Sequence, residues 1–272
     1  VLLGASAVFG MTFGLFDIAM NAQGSTVERA YGRPLMNGMH AGWCIGAMAA
    51  GGAGSVAIAL GLSLTANLVL IALVSLPALL VLGRAYLPDT PAAQASAAPR
   101  RRMPAVVYLL GALAFFAFMV EGVVADWNGL YMRDTLGAPE AVAALGYPVF
   151  EAGMLLGRLT GDRLRARFGA RGMLTAAGLS TAAFFGVVLA APAPLVAVVA
   201  VFFVGLGVAT ISPMTLSLAG TVTATPGPAI AQAGAMGYAG LLLGPVVIGL
   251  LSDLTSLRTA LVLAVVLGLL IA

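Results

Sequence analysis

The sequence predicts an all-α integral membrane protein, and three observations carry that prediction. Of 272 residues, 61% are hydrophobic and only 8% charged, with a mean hydropathy of +1.06. A soluble domain carries about a quarter charged residues, so this chain cannot cover a water-facing surface, and a soluble enzyme is excluded. Apolar residues also run on for about 20 positions at a time, the length at which a helix crosses the hydrocarbon, whereas a membrane barrel alternates apolar with polar. Finally, the 13 basic residues, all arginine, gather in a few connections.

Charges, glycines and prolines punctuate the apolar runs and place nine spans, at 1–23, 35–61, 65–84, 105–127, 141–158, 172–191, 194–217, 227–250 and 256–272. The first holds Asp17 and Asn21 and is followed by Glu28, Arg29 and Arg33. The second opens with His40 and Trp43, then passes through a small-residue run, Gly46 to Gly54, that permits close helix packing. The third ends at Arg84. The connection 85–104 holds Pro88, Pro91, Pro99 and Pro104 among Ala, Ser and Gln, a flexible linker composition, and it separates three spans from six. The fourth span carries Glu121 and ends near Asp126, Trp127 and Asn128; the fifth carries Glu151. The eighth offers Gln232 and Tyr238. Pro148, Pro213 and Pro245 each remove a backbone hydrogen bond within an apolar run, which predicts bends there.

Eleven of the arginines fall in 24–34, at Arg84, in 85–104 and in 157–172, against Arg133 and Arg258 in the alternate connections. The positive-inside rule puts the richer side, with the 85–104 linker, in the cytoplasm of a multi-pass inner (plasma) membrane protein. The first span then begins outside. A nine-span chain beginning outside on Val1 reads as the remainder of a longer one: three further helices ahead would give six on each side of the linker. The expected domains are 1–84, the last three helices of a first bundle, and 105–272, a second six-helix bundle. Lacking part of one cavity wall, this polypeptide by itself is not expected to transport.

The segment Gly157-Arg158-Leu159-Thr160-Gly161-Asp162-Arg163, followed by Arg167-Phe168-Gly169, resembles the cytoplasmic loop signature of the major facilitator superfamily. One extra residue separates Gly157 from the Gly161-Asp162 pair relative to the commonest spacing. Gly14-Leu15-Phe16-Asp17-Ile18-Ala19-Met20-Asn21 resembles the fourth helix of the fucose-permease-like branch. Asn37 to Trp43, Glu121 to Trp127 and Gly240 to Pro245 are similar to bacterial sugar-permease-like members. The resemblance covers essentially the whole chain, as helices four to twelve. It implies the major facilitator fold of 6 + 6 helices, transport by alternating access between two bundles, and a conformational latch at Gly157, Arg158, Gly161, Asp162, Arg163 and Arg167. The plainer reading of that loop is that its arginines set topology alone.

An ionised acid amid lipid costs about 2.5–3.5 kcal/mol on insertion scales, so intramembrane acids need a partner, a proton or a wet cavity. Asp17 and Asn21 are four apart, on one helix face, and the turn at 24–34 brings His40 to a similar depth. The three form either a proton-handling cavity cluster or a structural interhelical hydrogen bond. Glu121 and Asn128, seven apart, share a face and are read as cavity lining. Glu151 shares a face with Arg158 and is either a cavity group or part of a charge string toward Asp162. Trp127 is read as an interfacial anchor. Asp17, Asn21, Trp43, Asn128, Gln232 and Tyr238 offer the amides, carboxylate and aromatic faces that a sugar site uses; Gln232 and Tyr238 equally suit helix packing.

The sequence therefore predicts a secondary transporter of a small polar solute, coupled to protons through Asp17, Glu121 and Glu151. Efflux of an amphipathic compound is the alternative within transport. An intramembrane enzyme would need a nucleophile, metal or aspartate-dyad motif, and none is present; a channel would need a filter or a ring of like charges. No cofactor and no metal are expected. The single cysteine, Cys44, can form no intrachain disulfide. The expected partners are the small-molecule substrate, protons and the lipid bilayer, with no nucleic acid, and the expected state is a monomer.

Overall fold

The computed structural model describes residues 2–31, 36–87, 103–223 and 226–272. Among these residues the chain is helical almost throughout and contains no strand. In order come α1 (Leu2–Tyr31), α2 (Met36–Ala59), α3 (Leu64–Gly83), α4 (Ala105–Leu130) running into a π-helical turn at Tyr131–Thr135, α5 (Glu140–Ala144), α6 (Gly146–Ala190), α7 (Pro194–Val208), α8 (Ile211–Thr221), α9 (Pro226–Leu254) and α10 (Leu257–Ile271). Within them, 7 helical stretches are long and apolar enough to cross a membrane, and α10 is a shorter apolar helix. Most of the expected linker, 88–102, lies outside the described residues.

The segment 157–172, expected as a connecting loop, is helical. Arginine, leucine and alanine are strong helix formers, and α6 continues through them until Gly169, whose φ of 72° and ψ of 167° break the run before it resumes toward Ala190. Positive φ is open to glycine at no steric cost. The bends expected at Pro148 and Pro213 take the form of helix breaks just upstream of each proline, at Leu145 and at Ala209–Thr210, inside the apolar runs Glu140–Gly161 and Pro194–Thr221. Each is the third residue of its helix, α6 and α8, where the backbone N–H has no intrahelical partner to lose. These prolines start helices. Pro245 does lie inside α9, and Pro77 inside α3.

By internal packing the chain falls into two units, 1–43 with 68–100, and 44–67 with 101–272. In the first, Phe9 stacks on Phe13 at 6.2 Å, and Phe13 meets Trp43 edge-on at 6.0 Å. Gln23 Nε2 donates to the Leu87 carbonyl at 2.9 Å. The second unit holds a continuous core around Val120, Val123, Tyr131, Phe150, Met154, Phe185, Val201 and Val204.

Its strongest pairings, α6 with α7 and α4 with α9, depend on glycine. Gly153 faces the Phe202 carbonyl while Gly205 faces the Phe150 carbonyl, so the two backbones touch from both sides. A Cβ on Gly122 would lie 2.7 Å from the Leu241 carbonyl oxygen. Lipid tails are as apolar as leucine, so such van der Waals fit, and not hydrophobic drive, joins helices in a bilayer. Tyr131 donates its hydroxyl to the Leu189 carbonyl at 3.1 Å. Trp127, expected as an interfacial anchor, is half-buried and donates Nε1 to the Pro245 carbonyl at 3.0 Å, tying α4 to α9.

Candidate functional site

The second unit concentrates its intramembrane charge in one place. Glu121 lies near the middle of the Ala105–Thr135 run, and Glu151 and Arg158, seven residues apart on α6, project from one helix face. Glu121 has Arg158 and Glu151 as its charged neighbours. Ser212, at the start of α8, donates its hydroxyl to Glu121 Oε1 at 3.4 Å. From the second half of α2, Cys44 reaches the same cluster: Arg158 Nη1 donates to its Sγ at 2.9 Å, and Glu151 is its other charged neighbour. Four helices thus bring two carboxylates, one guanidinium, a thiol and a hydroxyl together.

Burial there is deep and its polar satisfaction incomplete. Glu151 is only 4% exposed and Cys44 fully buried. Glu151 Oε2 has no hydrogen-bond partner. An unmatched buried acceptor costs about 1–3 kcal/mol, more when charged. Chemically the cluster can accept a proton, donate from arginine and serine, and hold a solute hydroxyl. Among the described residues there is no group of three or more His, Cys, Asp or Glu that could hold a metal ion.

Trp43 is partly exposed and packs on Phe13. Asn128 is 3% exposed, with its Nδ2 3.9 Å from Met132 Sδ and packed against Gly146, so its amide is engaged by its own neighbourhood and not by a carboxylate. Tyr238 stacks on Phe118 at 5.5 Å, one helical turn from Glu121, and is 52% exposed. Gln232 is half-buried, six residues earlier on α9. The side chains of Asp17, Asn21, His40 and Asp162 lie outside the described residues.

Along the glycine and arginine segment, Gly157 and Gly161 face Leu206, Ala209 and Thr210 at the α7–α8 junction, and a Cβ on Gly161 would lie 2.7 Å from Thr210 Cγ2. Arg163 is exposed, and Arg167 lies over the Phe168 ring at 5.4 Å. Arg165 donates to Ser217 Oγ at 3.3 Å, fastening this end of α6 to α8. Sequence reasoning missed Cys44, Ser212 and Phe118. Cys44 and Ser212 carry no periodic or charge signal of their own, and only the fold shows what faces them. Phe118 was discoverable, as an aromatic one turn from an intramembrane acid.

Comparison with known proteins agrees with this architecture. The chain is 33% identical over 258 residues to an uncharacterized MFS-type transporter of Yersinia pestis, covering 94% of this chain and 67% of that protein. It is likewise 33% identical over 258 residues to an uncharacterized transporter of Sinorhizobium fredii, with 92% and 67% covered. The membrane protein MosC of Rhizobium meliloti is 31% identical over 173 residues, 60% of this chain and 40% of its own length. No family model matches the chain. No solved structure matches it either. A helical chain with a charged cluster amid apolar spans, one third identical to an MFS-type transporter across nearly its whole length, belongs to the major facilitator superfamily of membrane transporters.

Proposed function

We propose that the protein moves a small polar solute by alternating access and couples that movement to protons at Glu121 and Glu151. The observation that carries this reading is the cluster of two carboxylates around Arg158, inside spans, with Glu151 Oε2 left without a hydrogen-bond partner. Intramembrane acids at such cost mark ion pathways and relays. A carboxylate that is alternately protonated and paired with arginine gives the two bundles two states of different charge, which is what coupling requires. Asp17, Asn21 and His40 extend this reading as a second polar group, and Trp43, Gln232 and Tyr238 as lining for the solute. Phe118 and Tyr238 supply a stacked aromatic pair one turn from Glu121.

In this reading the glycine and arginine segment is the latch: Gly157 and Gly161 let α6 close on the α7–α8 junction, and Arg165 holds it to Ser217. The protein works as a monomer in the inner membrane, with 85–104 and the arginine-rich end of α6 both on the cytoplasmic side, as the arginine distribution supports.

The test is solute uptake by the intact full-length protein in lipid vesicles under an imposed proton gradient, with hexoses and polyols as probes. Accumulation should follow the gradient, and Glu121→Gln and Glu151→Gln should each lower gradient-driven accumulation by about tenfold or more. Uptake indifferent to the gradient at every pH, or unchanged in both variants, removes these residues from the mechanism.

A further inference from the structure

Gly157, Gly161 and Arg165 account for the latch, and the other arginines at that end of α6 are left without a role. Four arginines, Arg163, Arg165, Arg167 and Arg171, fall within nine residues there. Arg165 is half-buried and donates to Ser217. Arg163, Arg167 and Arg171 are exposed, and none of the three has a hydrogen bond or ion pair among the described residues. Arg133, in an alternate connection, has its own acid instead, Asp134 at 2.6 Å. The chain holds too few acids to pair the rest: segments 24–34, 84–104 and 157–172 carry eleven arginines against Glu28, Asp89 and Asp162.

Apolar side chains are interleaved with these charges. Arg163 and Arg167 are one turn apart, as are Leu164 and Phe168 beside them, so a charged row and an apolar row run together along the helix. Leu164 is 40% and Phe168 58% exposed. The Arg167 guanidinium lies over the Phe168 ring at 5.4 Å. Stacking takes its flat face and leaves its N–H edges free for the fork geometry with which arginine grips phosphate. The segment joins Glu140–Gly161 to Arg163–Ala190, two stretches long and apolar enough to cross a membrane, which puts it at a membrane boundary. An exposed apolar row beside unpaired cations, at the depth of headgroups, is complementary to a molecule with an anionic head and apolar tails.

We propose that this end of α6 is a docking site for an anionic phospholipid of the adjoining leaflet. Arg163, Arg167 and Arg171 take the phosphate and the headgroup charge, and Leu164 and Phe168 lie against the first carbons of the chains. Docking here requires only that the segment lie at the membrane boundary, and it does not depend on proton coupling. Arg167 and Arg171 each stand two residues from Gly169, so the lipid sits where the helical run is broken.

The experiment needs no solute. The intact full-length protein, freed of lipid in detergent, is titrated with phosphatidylglycerol and separately with phosphatidylcholine, and bound lipid is counted by native mass spectrometry. Phosphatidylglycerol should bind about tenfold or more tightly, and the difference should shrink as salt rises. Arg163→Gln, Arg167→Gln and Arg171→Gln should each weaken phosphatidylglycerol about fivefold, the worth of one arginine near an anionic surface, and leave phosphatidylcholine unchanged. Arg100→Gln, Arg101→Gln and Arg102→Gln together remove three charges from the linker and should leave the preference standing. If that linker variant lost the preference as fully as the three α6 substitutions combined, net charge alone would be the cause and the docking site would fall. Unchanged phosphatidylglycerol binding in the α6 variants overturns it as well. Wild-type protein can overturn it without any variant, by binding both lipids equally or by releasing phosphatidylglycerol to an equal concentration of inorganic phosphate, which would mark a site for soluble phosphate. Each of these outcomes leaves the coupling reading intact.

Discussion

Helix α3 and the α7–α8 run are both strongly apolar and both long enough to cross a bilayer, yet α3 buries 0% of its membrane window and Pro194–Thr221 buries 67%. Hydropathy therefore does not decide which helix meets protein. Residue size and its placement do. In α7, Ala197, Ala200, Gly205 and Gly207 are buried and admit neighbouring backbones, while Leu195 and Val199 point outward. In α3 the sequence is dominated by Leu, Val and Ile, and Leu73, Val74 and Leu80 are exposed in the form that suits lipid tails. Where α7 meets its neighbours, small side chains are what permit the close approach.

Substitutions along the two helices put this contrast at risk. The largest effect is expected for Gly205→Leu, whose side chain must enter the space of the Phe150 carbonyl; a loss above about 3 kcal/mol would appear as failure to recover monodisperse protein from detergent. If Gly205→Leu were recovered with wild-type thermal stability, the close approach of α6 and α7 would not be what holds them. An intermediate effect of about 1 kcal/mol is expected for Trp127→Phe, which keeps an aromatic ring but loses the hydrogen bond to Pro245 and part of the indole's volume, read as a lowered midpoint of thermal unfolding. The smallest belongs to Leu73→Ala on the lipid-suited face of α3, within about 0.5 kcal/mol of wild type by the same assay. A cost there as large as in α7 would show that α3 has a protein partner and would dissolve the comparison.

The same contrast explains what was legible in the sequence. The spans were, because each is written in consecutive apolar residues, and Glu121, Glu151 and Arg158 stood out because charge within such runs is costly. Spacing alone could not say what faces a residue. Glu121 and Asn128 do share a helical face, but Asn128 packs against Gly146 and Met132 instead of opening toward a cavity. Trp127 looked like an interfacial anchor because its indole sits near a span end; its bond to Pro245 comes from a helix over a hundred residues away in sequence. Cys44 and Ser212 enter the cluster only through tertiary packing. The prolines at 148 and 213 marked where their runs are interrupted, because each excludes the hydrogen bond that would carry the preceding helix through.

The unbroken course of α6 from Gly146 to Gly169 has a mechanical consequence. Glu151 and Arg167 are joined by sixteen residues of helix, about 24 Å at 1.5 Å per residue, with no joint between them. Any rotation at the acidic end is therefore delivered undiminished to the arginines at the far end, as a crankshaft delivers it. The chain can swivel next only at Gly169, so a side chain with a Cβ at that position would stiffen the one bearing on which such a shaft could turn.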